Sequence, residues 1–257
     1  MGRNIDVIRE QFKPYIDILF NNGMSQFLDN EISLEELNNN LVHNGYDIRL
    51  NSDNGATRLV FNFYKCNVFG NDIEKDIEQY VFKYQFSEGN INYNENERLA
   101  YKYAESKNSE QFFAWCDFFM TYDSNDKEYP IYIMEYCYSV EDEFEEIAKE
   151  SLDNMSRDEF EEECCYRELD KEEDAEEIEE LRASINEKYS GMYSGDSGDV
   201  YDYVLPEIFS PDEIYKLNNI VDKLNINDLH SGNFGLTDDD RYVIIDYAGF
   251  EIQLNVA

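Results

Sequence analysis

Basic residues are scarce in this chain. Its 257 residues include 21 Lys and Arg against 58 Asp and Glu, for a formal net charge of −37. Such a field repels nucleic acid and anionic membrane surfaces, and it draws basic proteins by an attraction that salt weakens. Direct nucleic-acid binding is therefore not expected. Histidine is nearly missing, with only His43 and His230. The five cysteines, Cys66, Cys116, Cys137, Cys164 and Cys165, are odd in number and show no Cys-x-x-Cys spacing. Zinc binding is disfavoured on both counts, and free thiols in a reducing cytosol are expected. No stretch approaches the roughly 18 uncharged residues that a membrane-spanning helix needs. No apolar run follows a basic amino terminus either, so the expectation is a soluble, cytoplasmic protein with no membrane partner.

Aromatic residues, by contrast, are plentiful. They make up 15% of the chain, with 21 Tyr and 17 Phe, and apolar residues make up 42%. That supplies a core despite the charge, in a chain long enough for one two-lobed domain or two small ones.

Periodicity divides the sequence. Ile5, Ile8, Phe12, Ile16 and Phe20 fall at helical spacing with a kink expected at Pro14, and Ser33-Leu34-Glu35-Glu36 has the form of a capping box before a second helix. From Tyr46 the pattern turns to strands at 46–50, 58–63 and 79–86, with Asn51-Ser52-Asp53-Asn54-Gly55 as a turn. A helix is predicted from Asn94, then two apolar segments at 111–122 and 129–138.

Residues 141–187 hold 22 acids and 5 bases. Two helices are predicted in this stretch, one over 140–152 and one opened by the capping box Ser156-Arg157-Asp158-Glu159. Phe160, Cys164, Ile178, Leu181 and Ile185 form a thin apolar stripe. Like-charged pairs such as Glu159/Glu163 and Glu176/Glu180 cost about 0.2–0.5 kcal/mol each, so this segment needs packing or a cationic partner to hold. Ser190–Gly198 reads as a flexible linker. Ser210-Pro211-Asp212-Glu213 then opens an amphipathic helix.

The chemistry-bearing residues come last. Asn227-Asp228-Leu229-His230-Ser231-Gly232-Asn233 is followed by Tyr242-Val243-Ile244-Ile245 and Asp246-Tyr247-Ala248-Gly249. A magnesium-nucleotide site requires a carboxylate beside the acceptor hydroxyl, an amide or carboxylate on the metal one loop away, and a second carboxylate bridging metal to phosphates. Asp228, Asn233 and Asp246 stand at spacings that suit those roles. The same residues also read as an ordinary hairpin, with Phe234 and Leu236 on one strand and 242–245 on the other.

Together these segments resemble the protein-kinase-like superfamily, nearest its aminoglycoside and small-molecule phosphotransferase branch, where the catalytic loop runs Asp-Leu-His-x-x-Asn. The resemblance implies an α+β, two-lobed kinase-like fold. Residues 1–45 would be a helical extension, 46–138 an antiparallel-sheet N-lobe and hinge, 139–200 an acidic helical insertion with its linker, and 201–257 a reduced helical C-lobe. It implies ATP and Mg²⁺ as cofactors, Asp228 as the catalytic carboxylate, and Asn233 and Asp246 as metal ligands. Lys83 would contact phosphates, with Glu95 as its ion partner and Glu97 as the alternative, and Val81, Met134 and Tyr136 would line the base. Lys65 is a rival for Lys83.

Residues 51–57 hold one glycine where the family spaces several, and Ile226-Asn227 precedes Asp228 where the family carries His-Arg or His-Gly. Eleven residues follow Asp246, which assigns the acceptor-holding surface to 139–205. The implied activity is phosphoryl transfer to a cationic small molecule or a basic protein. The alternative is a non-catalytic acidic pseudokinase that binds and inhibits a basic or nucleic-acid-binding protein. A structural role in an assembly is a third reading.

Overall fold

The structure, a computed structural model, describes residues 5–50, 58–66, 73–74, 80–85, 92–169, 174–226 and 228–247. The turn at 51–57, Asn227, and Ala248 and Gly249 lie outside the described residues. The fold is mixed α+β with antiparallel sheets. It divides into two compact units, one of residues 1–110 and 114–136, the other of residues 111–113 and 137–257. Residues 1–45 belong to the first unit and the acidic helices to the second.

The first unit begins with three helices, α1 (Ile5–Asn21), α2 (Met24–Leu28) and α3 (Leu34–His43). Helix α1 continues through Pro14. A short α2 separates it from α3, where two helices in all were predicted. At α3, Ser33 caps as its sequence predicts, accepting from the Glu36 N–H. Strands β1 (Tyr46–Leu50), β2 (Arg58–Cys66), β3 (Ile73–Glu74) and β4 (Tyr80–Gln85) follow, then helix α4 (Tyr93–Ser106), β5 (Cys116–Tyr122) and β6 (Glu128–Glu135). The sheet order is β1-β2-β4-β6-β5, with β3 paired to β2.

Alternation in β4 sorts the two faces of this sheet. Tyr80 and Phe82 point toward α1, where Phe12 meets both rings edge-on at 5.2 and 5.7 Å. Phe61, in register with Phe82, stacks on it at 5.4 Å. Val81 and Lys83 point to the other face, toward α4. Tyr80, Val81, Phe82 and Lys83 are all buried, so both faces of β4 are covered.

The second unit opens with β7 (Tyr138–Ser139) and helix α5 (Glu141–Tyr166), then α6 (Ala175–Tyr189). Here the prediction of a helix start at Ser156 is corrected. Helix α5 runs unbroken for 26 residues. Phe144, Ala148, Leu152 and Ser156 are all buried along it, at a four-residue spacing that continues one stripe. No Gly or Pro interrupts it, and the Ser156 hydroxyl donates to the Asn186 amide oxygen at 3.0 Å instead of capping.

The like-charge strain of this segment is met in part across the helix pair. Glu159 accepts from Lys188 at 2.5 Å and from the Tyr189 hydroxyl at 2.7 Å, which holds its carboxyl below the usual range. Arg167 reaches both Glu163 and Glu177.

A short α7 (Ser197–Asp199), a π-helical turn at Val200–Val204 and α8 (Leu205–Ile208) lead into α9 (Pro211–Leu224). The predicted start of α9 is observed as a full capping box between Ser210 and Glu213. Asn225 ends the helix in the left-handed region. The last described elements are a hairpin of β8 (Phe234–Leu236) and β9 (Tyr242–Ile244), with β7 on the other side of β8.

Candidate active site

Two groups of predicted residues are found, one in each unit. In the second unit the β8–β9 hairpin organises the first. Phe234 pairs with Ile244, and just beyond that pair the Ile245 N–H donates to the Asn233 carbonyl at 2.8 Å. Asn233 and Asp246 are thereby brought to the same end of the hairpin. Asp228 joins them through its backbone, because the Asn233 Nδ2 donates to the Asp228 carbonyl at 2.6 Å.

That bond decides which way the amide faces. Asn233 is 8% exposed, and its bonds employ its N–H, its carbonyl and Nδ2. Oδ1 is the atom left for a ligand. An amide oxygen and a carboxylate are hard-oxygen donors of the kind that magnesium prefers, so Asn233 and Asp246 are of a type that fits that ion. The Asp228 and Asp246 side chains are both exposed. Among the described residues there is no group of three or more His, Cys, Asp and Glu side chains able to hold a metal. Asn233, an amide, would be one ligand and Asp246 the other.

The backbone next to Asp246 is anchored by Tyr247, which is fully buried and meets Phe113 edge-on at 5.1 Å. Phe113 also bridges Ile244 along the edge of β9.

The Asp228–Asn233 loop is held from a direction the sequence reading did not foresee. Ser190–Gly198, predicted to be a flexible linker, is instead tied to this loop. The Ser231 N–H donates to the Gly195 carbonyl at 2.9 Å, and the Leu229 N–H donates to the Ser197 hydroxyl at 2.9 Å. Gly195 has φ +78° and lies against the Ser231 side chain, so it serves both a left-handed turn and a close approach. The Gly/Ser composition of 190–198 reads as slack, but bonds to Leu229 and Ser231, with local bonds from Ser194 to Asp199 and from the Asp199 N–H to Asp196, hold it.

His230 closes the loop on itself by accepting the Gly232 N–H on Nδ1 at 3.1 Å, which assigns the ring proton to Nε2. The Glu143 carboxylate of α5 accepts from the Tyr242 hydroxyl. Burial, with that carboxylate's help, pushes the Tyr242 phenol up to about 12.

One glycine controls the hairpin. A methyl group on Gly235 would stand 2.6 Å from the Cys137 Cβ and 3.0 Å from an Ile245 methyl. Gly235→Ala is expected to cost about 1–3 kcal/mol by overpacking, read as a lower melting temperature by calorimetry. The strand pair that this methyl would crowd is the one that positions Asn233 and Asp246.

The first unit holds the other group. Lys83 Nζ donates to both carboxylate oxygens of Glu97, at 3.0 and 2.9 Å. The two side chains are 6% and 2% exposed. The choice of Glu95 as ion partner is thus corrected in favour of the alternative. Glu95 instead takes Arg98, three residues on, at 2.6 Å.

The reason is helical phase. Asn92 caps α4, accepting from the Glu95 N–H, which leaves Glu95 on the half-exposed side. Asn94, Glu97, Ala100, Tyr101 and Ala104 form the buried face. Leu99, one turn beyond Glu95, is only half-buried, so the row of Glu95 and Leu99 is not the inward face.

Val81 and Met134 are paired in register on the same sheet face as Lys83, and both are buried. Met134 is 2% exposed between Val81 and Cys116. Tyr136 follows the end of β6 and is half-buried. Lys65 lies on β2 opposite Tyr46 and Glu74.

Comparison with protein-family models, with curated proteins and with solved structures yields no match.

Proposed function

We propose that the chain binds a magnesium-nucleotide and acts as a kinase-like phosphotransferase. The observation that carries this reading is the gathering of Asp228, Asn233 and Asp246 at one end of the β8–β9 hairpin, with the Asn233 amide fixed so that Oδ1 is left for a cation. Bound Mg²⁺ would supply charge neutralisation on phosphate oxygens. Asn233 and Asp246 would hold it, and Asp228 would orient the acceptor hydroxyl and take its proton.

Each unit supports the reading by itself. In the first, the buried Lys83 is fixed by a helix carboxylate on both oxygens, which suits a cation that must point at phosphate rather than sweep solvent. In a chain of charge −37, a triphosphate needs such a local cation. The exposed acids of α5 and α6 suit a cationic acceptor.

The test is a thermal-shift titration of the full chain with ATP, with and without Mg²⁺. A rise in melting temperature that requires both is expected. Absence of any nucleotide-dependent rise counts against the reading.

A second reading is favoured by the α5–α6 pair, a helical hairpin with an excess of acidic side chains. In that reading the chain presents the hairpin to a basic protein surface. Salt-sensitive binding that survives Asp228→Ala and Asp246→Ala would separate it from the first. No helix among the described residues is long and apolar enough to cross a membrane.

A further inference from the structure

Helices α5 and α6 run antiparallel, as their pairings show. Ser156 meets Asn186, Glu159 meets Lys188, and Arg167 meets Glu177. Two helices share one seam, and a stripe broader than that seam is left partly uncovered. Leu152, Leu181 and Ile185 are buried, whereas Phe160, Cys164, Leu169 and Ile178 are only half-buried.

These four line a cavity of about 1110 Å³ along the outer half of the hairpin. Four carboxylates rim it, those of Asp153, Glu161, Glu176 and Glu179. Two cations lie in the lining as well, Arg157 and Arg182. The Arg182 guanidinium covers the Phe160 ring at 4.6 Å from its centroid.

We infer that this groove is the docking site for a basic amphipathic helix of a partner protein. An apolar floor bounded by carboxylates matches an occupant with an apolar stripe flanked by Lys or Arg, the helix-in-groove mode of recognition. The surrounding segment reinforces the sign, with 22 acids against 5 bases over residues 141–187. A flat acidic surface would take any polycation equally. A floor containing Phe160 and Ile178 discriminates by the pattern of apolar residues as well as by charge.

Arg182 acts as an occupant in the meantime. Its stem and guanidinium shield Phe160, and an incoming cationic helix displaces it. The inference deepens the second reading above and rests on it.

The test uses the full-length chain and fluorescence anisotropy at low and high salt. The probe is a labelled 18-residue peptide with Leu and Lys at helical spacing. The control is a peptide of the same composition in an order that destroys the apolar stripe. The patterned peptide is expected to bind at least tenfold more tightly than the shuffled one.

Phe160→Ser with Ile178→Ser should erase that preference and leave the shuffled peptide's binding unchanged. Glu176→Gln with Glu179→Gln, both at exposed positions, should weaken both peptides and flatten the salt dependence. Arg182→Ala should tighten the patterned peptide several-fold, a gain of function that a misfolded protein cannot mimic.

Equal binding of the two peptides to the unmodified chain overturns the groove but leaves an acidic binder intact. Binding of neither peptide at low salt overturns both. Unchanged preference in the Phe160 and Ile178 double variant also overturns the groove.

Discussion

Glu97→Gln is expected to destabilise the chain by about 3–5 kcal/mol, because it removes the buried carboxylate that takes the Lys83 ammonium on both oxygens. Both partners of this pair are almost wholly enclosed, and the carboxylate takes the ammonium on both oxygens. Glu95→Gln, two residues away, should cost under about 1 kcal/mol. Its partner Arg98 is one turn along the same helix and partly in solvent, where an ion pair is worth little. Denaturant unfolding of the two variants side by side checks the contrast. Equal losses would mean that Lys83 does not depend on Glu97.

The pair also allows stability and function to be separated. Replacing both partners together, as Lys83→Met with Glu97→Leu, removes two buried charges at once and is expected to leave stability within about 1–2 kcal/mol of the parent. The double variant should nevertheless lose the nucleotide-dependent rise in melting temperature. A protein that keeps its fold and still binds ATP would mean that Lys83 does not contact phosphate.

The second large effect concerns Asp246. If magnesium-nucleotide is held as proposed, saturation at a hundred times its dissociation constant stabilises the folded chain by about 2.7 kcal/mol. Asp246→Ala should abolish the magnesium-dependent part of that gain. The carboxylate is exposed at the end of the hairpin, and its neighbour Tyr247 supplies the anchoring burial, so the fold should survive its removal.

Asn233→Asp is the informative companion. It keeps an oxygen for the cation but cannot donate to the Asp228 carbonyl, and so sets a carboxylate against a carbonyl oxygen. It should lower stability as well as affinity. Isothermal titration with Mg²⁺ and ATP, paired with unfolding of the apo protein, distinguishes the two losses. A full magnesium response in Asp246→Ala would sink the assignment of that residue.

The elements of this fold were legible wherever a local signal and the packing agreed. Ser33 and Ser210 announce their helices and do cap them. Strand β1 falls at the predicted Tyr46–Leu50, and β8 and β9 fall on the two predicted hairpin strands. Local signals failed where a distant contact competed. The capping box at Ser156 lost to a buried stripe that runs through it and to Asn186 on the next helix. The flexible composition of Ser190–Gly198 lost to the backbone groups of Leu229 and Ser231.

For the site, residue type was easier to read than partnership. Lys83 followed from the kinase-like resemblance, but its carboxylate required the phase of α4, whose buried face carries Glu97 and not Glu95. The hydrogen bond between Asn233 and Asp228 had no separate sequence signal, since Asp-x4-Asn arises readily in acidic, Asn-rich chains. Its meaning came from the hairpin that brings Asp246 alongside.

The two ends of the acidic segment differ in how freely they can vary. Near its roots, Glu143 is tied to Tyr242, and Gly195 and Ser197 are tied to the loop that carries Asp228. The outer half is stapled to α6 through Ser156, Glu159 and Arg167. Matched turns can therefore be added to or removed from both helices at the far end without moving the hairpin. A single residue inserted between Gly195 and Ser197 would put their two hydrogen bonds out of step. Drift in length should collect at the tip, where a partner would be chosen, while the junction stays fixed in size.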